Sequence, residues 1–173
     1  MSSKSALPLA PIDAASFRMA CARFATGVTV ATVLGTDGEP QGFTANSFTS
    51  VSCCPPLILI CIDHRTTALP HFRANPLFGI NILAECQRDV SVRFSQRQAN
   101  RFEGIEWWLS DSGIPLLGGT LARLECSATQ TLDAGDHTIF IGEVFHADWG
   151  EGRPLLFYSS RYGELAIAPR HVR

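Results

Sequence analysis

The feature that most constrains the fold is a pair of long strand-forming runs in the last third of the chain. Residues 120–149 read TLARLECSATQTLDAGDHTIFIGEVFHADW, and the four residues 133–136 divide this segment into two β-rich halves. Two such runs joined by a short turn that contains glycine predict a β-hairpin. This is the strongest hairpin signal in the sequence, and it indicates a fold in which strands dominate.

Other strand signals extend this pattern along the chain. VTVATVLG is rich in β-branched residues, TDGEPQG then carries an Asp-Gly turn, and GFTANSF should return antiparallel. LILICID, LFGINIL and RPLLFYSSRYGEL supply further strands, for a total of about seven. A meander of hairpin-linked strands most simply closes into a barrel, because closure removes exposed edges. The predicted fold class is therefore mainly β, with a few short helices.

Two of the predicted helices show apolar residues at helical spacing. DAASFRMACARFATG predicts a helix capped by Asp13 or Ser16. Its apolar residues recur at helical spacing, and they are Phe17, Ala20, Cys21 and Phe24. ECQRDVSVRFSQ predicts another helix, with Val90 and Phe94 at i and i+4.

Composition bounds the class of protein. The chain has 173 residues, which suits one domain; we expect residues 1–11 to form a flexible arm and residues 12–173 to form that domain. The net charge of −2 offers no basic excess for nucleic acid, so that partner class is disfavoured. Only 17% of residues are charged, which favours a homo-oligomer that hides apolar surface.

Location and metal binding follow from the cysteines and the apolar runs. No apolar run reaches the length of a membrane span and the N-terminus lacks a signal-peptide core, so we expect a cytoplasmic protein without membrane attachment. The six cysteines form no C-x-x-C pair and have no histidine at zinc-finger spacing, so no metal site is predicted. We expect free thiols that pack as small hydrophobic groups, the adjacent Cys53 and Cys54 included.

Small polar side chains cluster in TANSFTSVS, residues 44–52, four residues before the apolar LILICI. Their hydroxyl and amide groups, with backbone N–H groups along an exposed strand, suit a flat polar heterocycle whose edge alternates donors and acceptors. A solvated Ser/Thr loop explains the same composition. The residues alone leave both interpretations open.

Two further segments could hold an anion. TTALPHFRANP predicts a short helix after LILICID, with Thr66 or Thr67 as its cap, and the N-terminus of a helix attracts phosphate. Arg93 and Arg97, placed at i and i+4 on the next helix, could meet a phosphate by charge-assisted hydrogen bonds. The alternative is a threonine that only caps its helix and an arginine pair on a solvated face.

His137 begins the second run of the long hairpin, beside Asp136. A histidine next to a tight turn and an acid could bind an anion, act in acid–base chemistry or stack on a ligand. A structural histidine bonded within the turn is the alternative. Together, the polar edge, the anion segments and this histidine outline a site for a phosphate-bearing aromatic cofactor.

Several motifs resemble the flavin reductase family, the small NAD(P)H:flavin oxidoreductases that serve as reductase components of two-component flavin-dependent monooxygenases. They are RFATGVTVATV, GFTANSFTSVSCCPPLILICID, LFGINIL and DAGDHTIFIGEV, and the likeness runs in order from about Phe17 to Tyr162. The resemblance implies a split β-barrel, Greek-key-like, that binds FMN or FAD and pairs as a homodimer. It also implies a monooxygenase as a possible partner.

The resemblance also implies residue roles. His137 would be the catalytic residue and would contact the nicotinamide nucleotide, with Tyr162 lining the same opening. The other matching positions would bind the flavin, and they are Thr44, Ala45, Asn46, Ser47, Ser50, Val51, Ser52, Cys61, Ile62, Thr66, Thr67, Arg93, Phe94 and Ser95.

The implied reaction is hydride transfer from NADH or NADPH to FMN or FAD, an oxidoreductase activity of the EC 1.5.1 type. The cofactors carry the chemistry, which explains why no acid–base pair stands out in the sequence. Two alternatives remain at this point. One is a flavoprotein that reduces a dedicated acceptor such as a corrinoid, and the other is a flavin- or haem-binding split barrel without turnover.

Overall fold

Strands dominate the computed structural model, which describes residues 10–97 and 100–166. About 47% of residues lie in strands and 16% in helices, so the mainly β prediction is confirmed. The helices are α1 (Ala14–Cys21), α2 (Leu69–Ala74) and α3 (Arg88–Ser95), with a 3-10 turn at Glu85–Gln87 before α3. The strands are β1 (Thr26–Gly27), β2 (Thr29–Leu34), β3 (Pro40–Ala45), β4 (Thr49–Cys53), β5 (Pro56–Asp63), β6 (Leu77–Ile82), β7 (Trp107–Leu109), β8 (Pro115–Leu117), β9 (Ala122–Ala134), β10 (His137–Trp149), β11 (Leu156–Tyr158) and β12 (Arg161–Gly163).

Seven of these strands form one antiparallel sheet in the order β3-β2-β6-β9-β10-β5-β4. The long hairpin predicted from the sequence is present as β9 and β10, where His137 pairs with Ala134 across the turn. Gly135 has a φ of +63°, a conformation that glycine adopts without steric cost. Two small sheets, β1-β11-β12 and β7-β8, complete the strands of the described residues.

Burial alternates along β5 and gives this strand two distinct faces. Ile58, Ile60 and Ile62 are buried in the core, whereas Cys61 and Asp63 are only partly buried on the outer face. Alternation follows from the two-residue period of a strand. The outer face of β5, which we call the β5 platform, carries Leu57, Leu59, Cys61 and Asp63.

Aromatic rings fill two clusters of the core. Phe72 of α2 packs against Phe78 and Phe140, with ring centroids 5.9 and 6.0 Å apart. A second cluster forms where α3 covers the sheet, and there Phe94 lies 4.9 Å from Phe102 in an edge-to-face arrangement. Burial of each such side chain contributes about 1.5–3 kcal/mol. This second cluster anchors α3 and the loop that follows it.

The helix boundaries correct two predictions. Asp13 caps α1 as predicted, since its carboxylate accepts from the backbone N–H groups of Ala15 and Ser16. The predicted cap of α2 by Thr66 or Thr67 is wrong, because the helix begins at Leu69 and its cap is Ala68 without a side-chain bond. The N–H of Thr66 instead donates to the carbonyl of Asp63 and closes a turn.

The second correction concerns the arginine pair. α3 ends at Ser95 because Gln96 adopts an extended conformation, with φ −90° and ψ 152°. Arg93 and Arg97 therefore do not lie at i and i+4 on one helix, and that prediction is wrong.

The cysteines differ from the packing predicted for them. All six are free thiols, but Cys126 is the one that is buried and Cys61 is partly buried. The others are exposed, including Cys53 at the end of β4 and Cys54 in the turn that follows. Cys21 ends α1 and Cys86 lies in the 3-10 turn, and neither element covers its thiol.

The predicted arm, residues 1–11, lies outside the described residues except for its last two positions. Among residues 10–97 and 100–166, no helix has the length and apolar character needed to span a bilayer. The same residues contain no cluster of three or more His, Cys, Asp or Glu side chains placed to hold a metal ion.

Candidate functional site

A cleft of about 390 Å³ opens where β5 ends and α3 ends, and we call it the anion cleft. Strand β3, the turn after β5, the end of α3 and the loop after α3 each contribute to its wall. Its lining residues are Phe43, Thr44, Asp63, Arg65, Thr66, Thr67, Phe94, Ser95, Arg97 and Arg101.

Asp63 and Arg65 form the first fixed pair of the cleft. The Asp63 carboxylate accepts from the backbone N–H of Arg65 at 2.8 Å and from its Nε and Nη2 at 3.0 and 2.6 Å. The bonded guanidinium holds the pKa of the Asp63 carboxyl well below its usual range. The pair therefore stays charged at neutral pH and keeps the Arg65 guanidinium close to the carboxyl end of β5.

Arg101 is a second fixed cation, and the sequence gives no sign of its position. Its guanidinium donates to the carbonyls of Gly42 at 3.0 Å and Gln96 at 2.9 Å, and to the hydroxyl of Thr67 at 3.3 Å. Partial burial lowers the pKa of Arg101, yet an arginine remains protonated under ordinary conditions. These three bonds hold one positive charge at a set point of the wall.

The charge of the cleft suits a phosphate. Arg65, Arg97 and Arg101 supply three positive charges and Asp63 one negative charge, which leaves a formal net charge of +2. A phosphate monoester carries about −1.5 to −2 charge at neutral pH. The hydroxyls of Thr66 and Thr67 add neutral hydrogen-bonding groups. The cleft therefore has the donor set and the charge needed to hold a phosphate, although no helix cap contributes.

The structure brings together some of the predicted flavin residues and separates others. Those that line the anion cleft are Thr44, Thr66, Thr67, Phe94 and Ser95. Arg93 does not line it, because its guanidinium is hydrogen-bonded to the carbonyl of Glu103. Thr44 is anchored through a 2.6 Å bond from its hydroxyl to the carbonyl of Ser91 on α3. Asp63 and Arg101 also line the cleft and were missed.

The polar stretch 44–52 bends instead of running as one strand. Thr44 and Ala45 end β3, residues 46–48 connect, and β4 begins at Thr49. Ser47 ties this connection to the β5 platform, because its hydroxyl donates to the Cys61 carbonyl at 3.1 Å and accepts from the Cys61 N–H at 3.0 Å. Burial raises the pKa of the Cys61 thiol, so this side chain stays neutral. The polar stretch and the anion cleft thus both adjoin β5, at Cys61 and at Asp63.

The remaining predicted flavin residues differ in what they expose. The side chains of Ala45 and Ile62 are buried, so these two can meet a ligand through backbone atoms alone. Ser50, Val51 and Ser52 lie on β4, the last strand of the sheet. Asn46 and Ser47 line a separate cleft of about 470 Å³ together with Phe24, Phe48 and neighbouring residues.

His137 stands opposite Asp63 across the β5–β10 pairing, next to the anion cleft. Its Nδ1 lies 2.7 Å from a carboxylate oxygen of Asp136, and the side chain is 41% exposed. The hydrogen bond to His137 lowers the pKa of the Asp136 carboxyl. With Nδ1 occupied, Nε2 is the ring nitrogen free to face a ligand.

Tyr162, predicted to share that opening, lies elsewhere. Its hydroxyl is hydrogen-bonded to the hydroxyl of Ser91 at 2.8 Å, and its ring packs against Phe157 and lies under the guanidinium of Arg88. The pocket that it lines belongs to the β11–β12 turn. Since Ser91 also holds Thr44 through its carbonyl, Tyr162 stands behind the wall of the anion cleft.

A side-chain network that sequence reasoning missed braces the hairpin that carries His137. Asp133 accepts from the hydroxyl of Thr138 at 2.6 Å and from Arg73 of α2 at 2.8 Å, and His64 lies 3.2 Å from the same hydroxyl. The Thr138 bond is the main cause of a lowered pKa at Asp133. The network fastens the turn of β9 and β10 to α2 and to the residue after β5.

Known proteins are similar to this chain in sequence and in fold. A family described as flavin reductase like domain matches residues 21–166. The FMN reductase (NADH) SmoA of Agrobacterium fabrum is 42% identical over 151 residues, which cover 87% of this chain and 86% of that protein. The reductase subunit HsaB of a flavin-dependent monooxygenase from Rhodococcus jostii is 39% identical over 152 residues, or 87% of this chain and 77% of that one.

A solved structure agrees with these relatives. The NADH:FAD oxidoreductase SgcE6 of Streptomyces globisporus C-1027, in complex with NAD and FAD fragments, superposes with a TM-score of 0.85 at 37% identity. The match covers 96% of this chain and 100% of that chain. The sequence, the sheet order and these matches agree, and the chain belongs to the flavin reductase family.

Proposed function

We propose that this protein is an NADH-dependent flavin reductase that moves a hydride from the reduced nicotinamide to FMN or FAD. The observation that carries the proposal is the anion cleft, with its formal charge of +2, at the end of the β5 platform and next to His137. Family membership supports the same activity, since SmoA is an FMN reductase and SgcE6 is an NADH:FAD oxidoreductase.

The residues present fit a flavin nucleotide. Arg65, Arg97 and Arg101, with the hydroxyls of Thr66 and Thr67, would hold its phosphate by charge-assisted hydrogen bonds. The β5 platform and the edge strand β4 would support the ring, because one side of an edge strand keeps its backbone donors and acceptors unpaired. When bound, the flavin supplies the hydride acceptor.

His137 would orient the nicotinamide. Asp136 holds its Nδ1, so the orientation of the ring is fixed and Nε2 is left for a ligand. A fixed hydrogen-bonding group that positions a reactant lowers the entropic part of the barrier. A hydride moves with its electron pair, so the protein needs to bind and orient the two reactants and needs no acid–base pair.

We also propose a homodimer with the split-barrel fold of the family, in the cytoplasm, that supplies reduced flavin to a monooxygenase. Uncovered apolar side chains support an oligomer: Phe17 of α1 is 57% exposed and Phe24 is 77% exposed. Six free thiols support a reducing compartment. HsaB supports the monooxygenase, because it is a reductase subunit of one.

One assay tests the activity. Purified protein is mixed with NADH or NADPH, with and without FMN, FAD or riboflavin, and oxidation of the nicotinamide is followed by its absorbance. We expect oxidation that requires added or bound flavin. No oxidation under any condition would instead support a binding protein without turnover. Oxidation that requires a non-flavin acceptor such as a corrinoid would refute release of reduced flavin.

A further inference from the structure

His64 lies directly after β5, between two residues that line the anion cleft, yet it does not line that cleft itself. Its contacts run to the β9–β10 turn instead. The backbone N–H of His64 donates to the carbonyl of Asp136 at 3.0 Å, and its Nε2 lies 3.2 Å from the hydroxyl of Thr138. Asp136 and Thr138 are the two chain neighbours of His137, so His64 holds that residue from both sides.

The hydroxyl of Thr138 uses its full hydrogen-bonding capacity. It donates its single proton to the Asp133 carboxylate at 2.6 Å, which leaves two lone pairs that can accept. Arg73 donates to this oxygen from Nη2 at 3.0 Å. Since the hydroxyl has no second proton, it also accepts from His64, and Nε2 is therefore a protonated nitrogen of the His64 ring. Thr138 is only 2% exposed, so water cannot replace a lost donor at low cost.

The ring of His137 has a defined proton position as well. Its Nδ1 lies 2.7 Å from the Asp136 carboxylate, which is ionised at neutral pH and can only accept. Nδ1 therefore carries a proton, and a neutral ring keeps the lone pair of Nε2 for a donor on a ligand. The place of this ring depends on the backbone of residues 136–138, which the bonds of His64 hold at both ends.

Packing does little to hold this end of the long hairpin. Residues 129–136 are all exposed, so no apolar layer covers the turn or the end of β9. The pairing of β10 with β5 reaches the turn at His137, opposite Asp63. The side-chain bonds of His64 and Arg73 to Thr138 add the tertiary contacts that the core does not provide there.

We propose that His64 is a positioning residue for His137: it keeps the β9–β10 turn, and with it the His137 ring, in the place from which that ring orients the nicotinamide. The proposal rests on the proposed flavin reductase function. His64 acts through His137 and does not line the anion cleft. Its removal should therefore impair the use of NADH and leave flavin binding intact.

The test is a double-mutant cycle on the KM for NADH, with the flavin dissociation constant measured by calorimetry. His64→Ala keeps the backbone bond and removes one neutral hydrogen bond, so the KM should rise about fivefold. With about tenfold for His137→Ala, independent residues would give about fiftyfold in the double variant, whereas we expect about tenfold. His64→Gln offers an amide donor near the position of Nε2 and should bring the KM within about twofold of wild type.

A second measurement uses flavin-free protein and no activity. Amide hydrogen exchange of residues 136–138 should be about fivefold faster in His64→Ala, because one bond fewer opposes local opening of the turn. His146→Ala is the matched control, since it removes an exposed histidine near the other end of β10. It should leave the KM for NADH, the flavin dissociation constant and the exchange rates unchanged.

Several results would overturn the positioning role. They are a fiftyfold rise in the double variant, a loss of flavin affinity equal to the rise in KM, no recovery in His64→Gln, and unchanged amide exchange in His64→Ala. Absence of NADH oxidation by wild type with every flavin would overturn the flavin reductase function, and the positioning role with it. The exchange measurement would then still report whether His64 holds the turn.

Discussion

Arg97 offers the cleanest test of the anion cleft, because it lines the cleft and contributes little to the fold. It is exposed, and among the described residues its guanidinium donates to the carbonyl of Arg65 at 3.3 Å. Arg101 and Arg65 are less suitable, since each has several hydrogen bonds within the chain. We therefore choose Arg97→Gln, which should change the free energy of unfolding by no more than about 0.5 kcal/mol.

The expected effect on binding comes from one lost hydrogen bond to phosphate. Hydrogen bonds to charged groups contribute about 1.5–3 kcal/mol, and the exposure of Arg97 places this one near 1.5 kcal/mol, at the low end. Since 1.4 kcal/mol corresponds to a factor of ten, the KM for FMN should rise about tenfold. Riboflavin has no phosphate, so its KM should stay within about twofold.

The assay is steady-state oxidation of NADH with FMN or riboflavin as the varied substrate. Arg18→Gln is the matched control, because it removes one exposed positive charge from α1, away from the cleft lining. An equal rise in KM for FMN and riboflavin would refute a phosphate contact and point to a damaged fold. An unchanged KM for FMN would refute the assignment of this cleft to the phosphate.

Three further predictions concern other parts of the chain. His137→Ala should raise the KM for NADH about tenfold and leave the flavin dissociation constant within about twofold. An equal rise in the KM for NADH and in the flavin dissociation constant would contradict an orienting role. Gly142→Ala places a Cβ 2.5 Å from the Phe78 ring, whereas Gly27→Ala meets nothing within 4 Å. Gly142→Ala should lower the free energy of unfolding by about 1–3 kcal/mol and the Tm by about 2–12 °C, whereas Gly27→Ala should leave both unchanged. Equal Tm values for the two variants would contradict the packing argument. Burial and the neighbouring Glu125 raise the pKa of Cys126 to about 12. The folded chain then holds the thiol proton more tightly than the unfolded chain, so the free energy of unfolding should fall as the pH rises towards 12. Cys126 should also resist thiol reagents at pH 8. Rapid labelling of Cys126 in the native protein would refute this prediction.

Local chemistry made part of this molecule predictable. The β9–β10 hairpin depends on neighbouring residues and a turn with Gly135, and the α1 cap depends on Asp13 and the two N–H groups that follow it. The predictions of this hairpin and this cap were both correct, because the interactions that form them join residues close in the chain. The family motifs were readable for a similar reason, since each is a short contiguous segment.

Helix boundaries were less predictable, because a turn competed with the first turn of the helix. Thr66 and Thr67 are good capping residues by type. The carbonyl of Asp63 accepts from the N–H of Thr66, however, and α2 starts three residues after Thr66. The hydroxyl groups expected at a cap therefore line the anion cleft, and the N-terminus of α2 carries no side-chain cap.

The sequence by itself determined the strand-rich class, the long hairpin and the family, because strand-forming runs, turns and motifs are local properties. Only the tertiary structure decided how the clefts are built. Arg101 reaches the Gly42 carbonyl across 59 positions of chain, and no local pattern encodes that contact. Packing likewise decided the two faces of LILICID: residues 57–62 are apolar on both faces, but the core covers Ile62, leaves Cys61 partly buried and leaves Asp63 in the lining of the anion cleft. A strand's two-residue period separates its faces, and only the layers packed against it determine which face is buried.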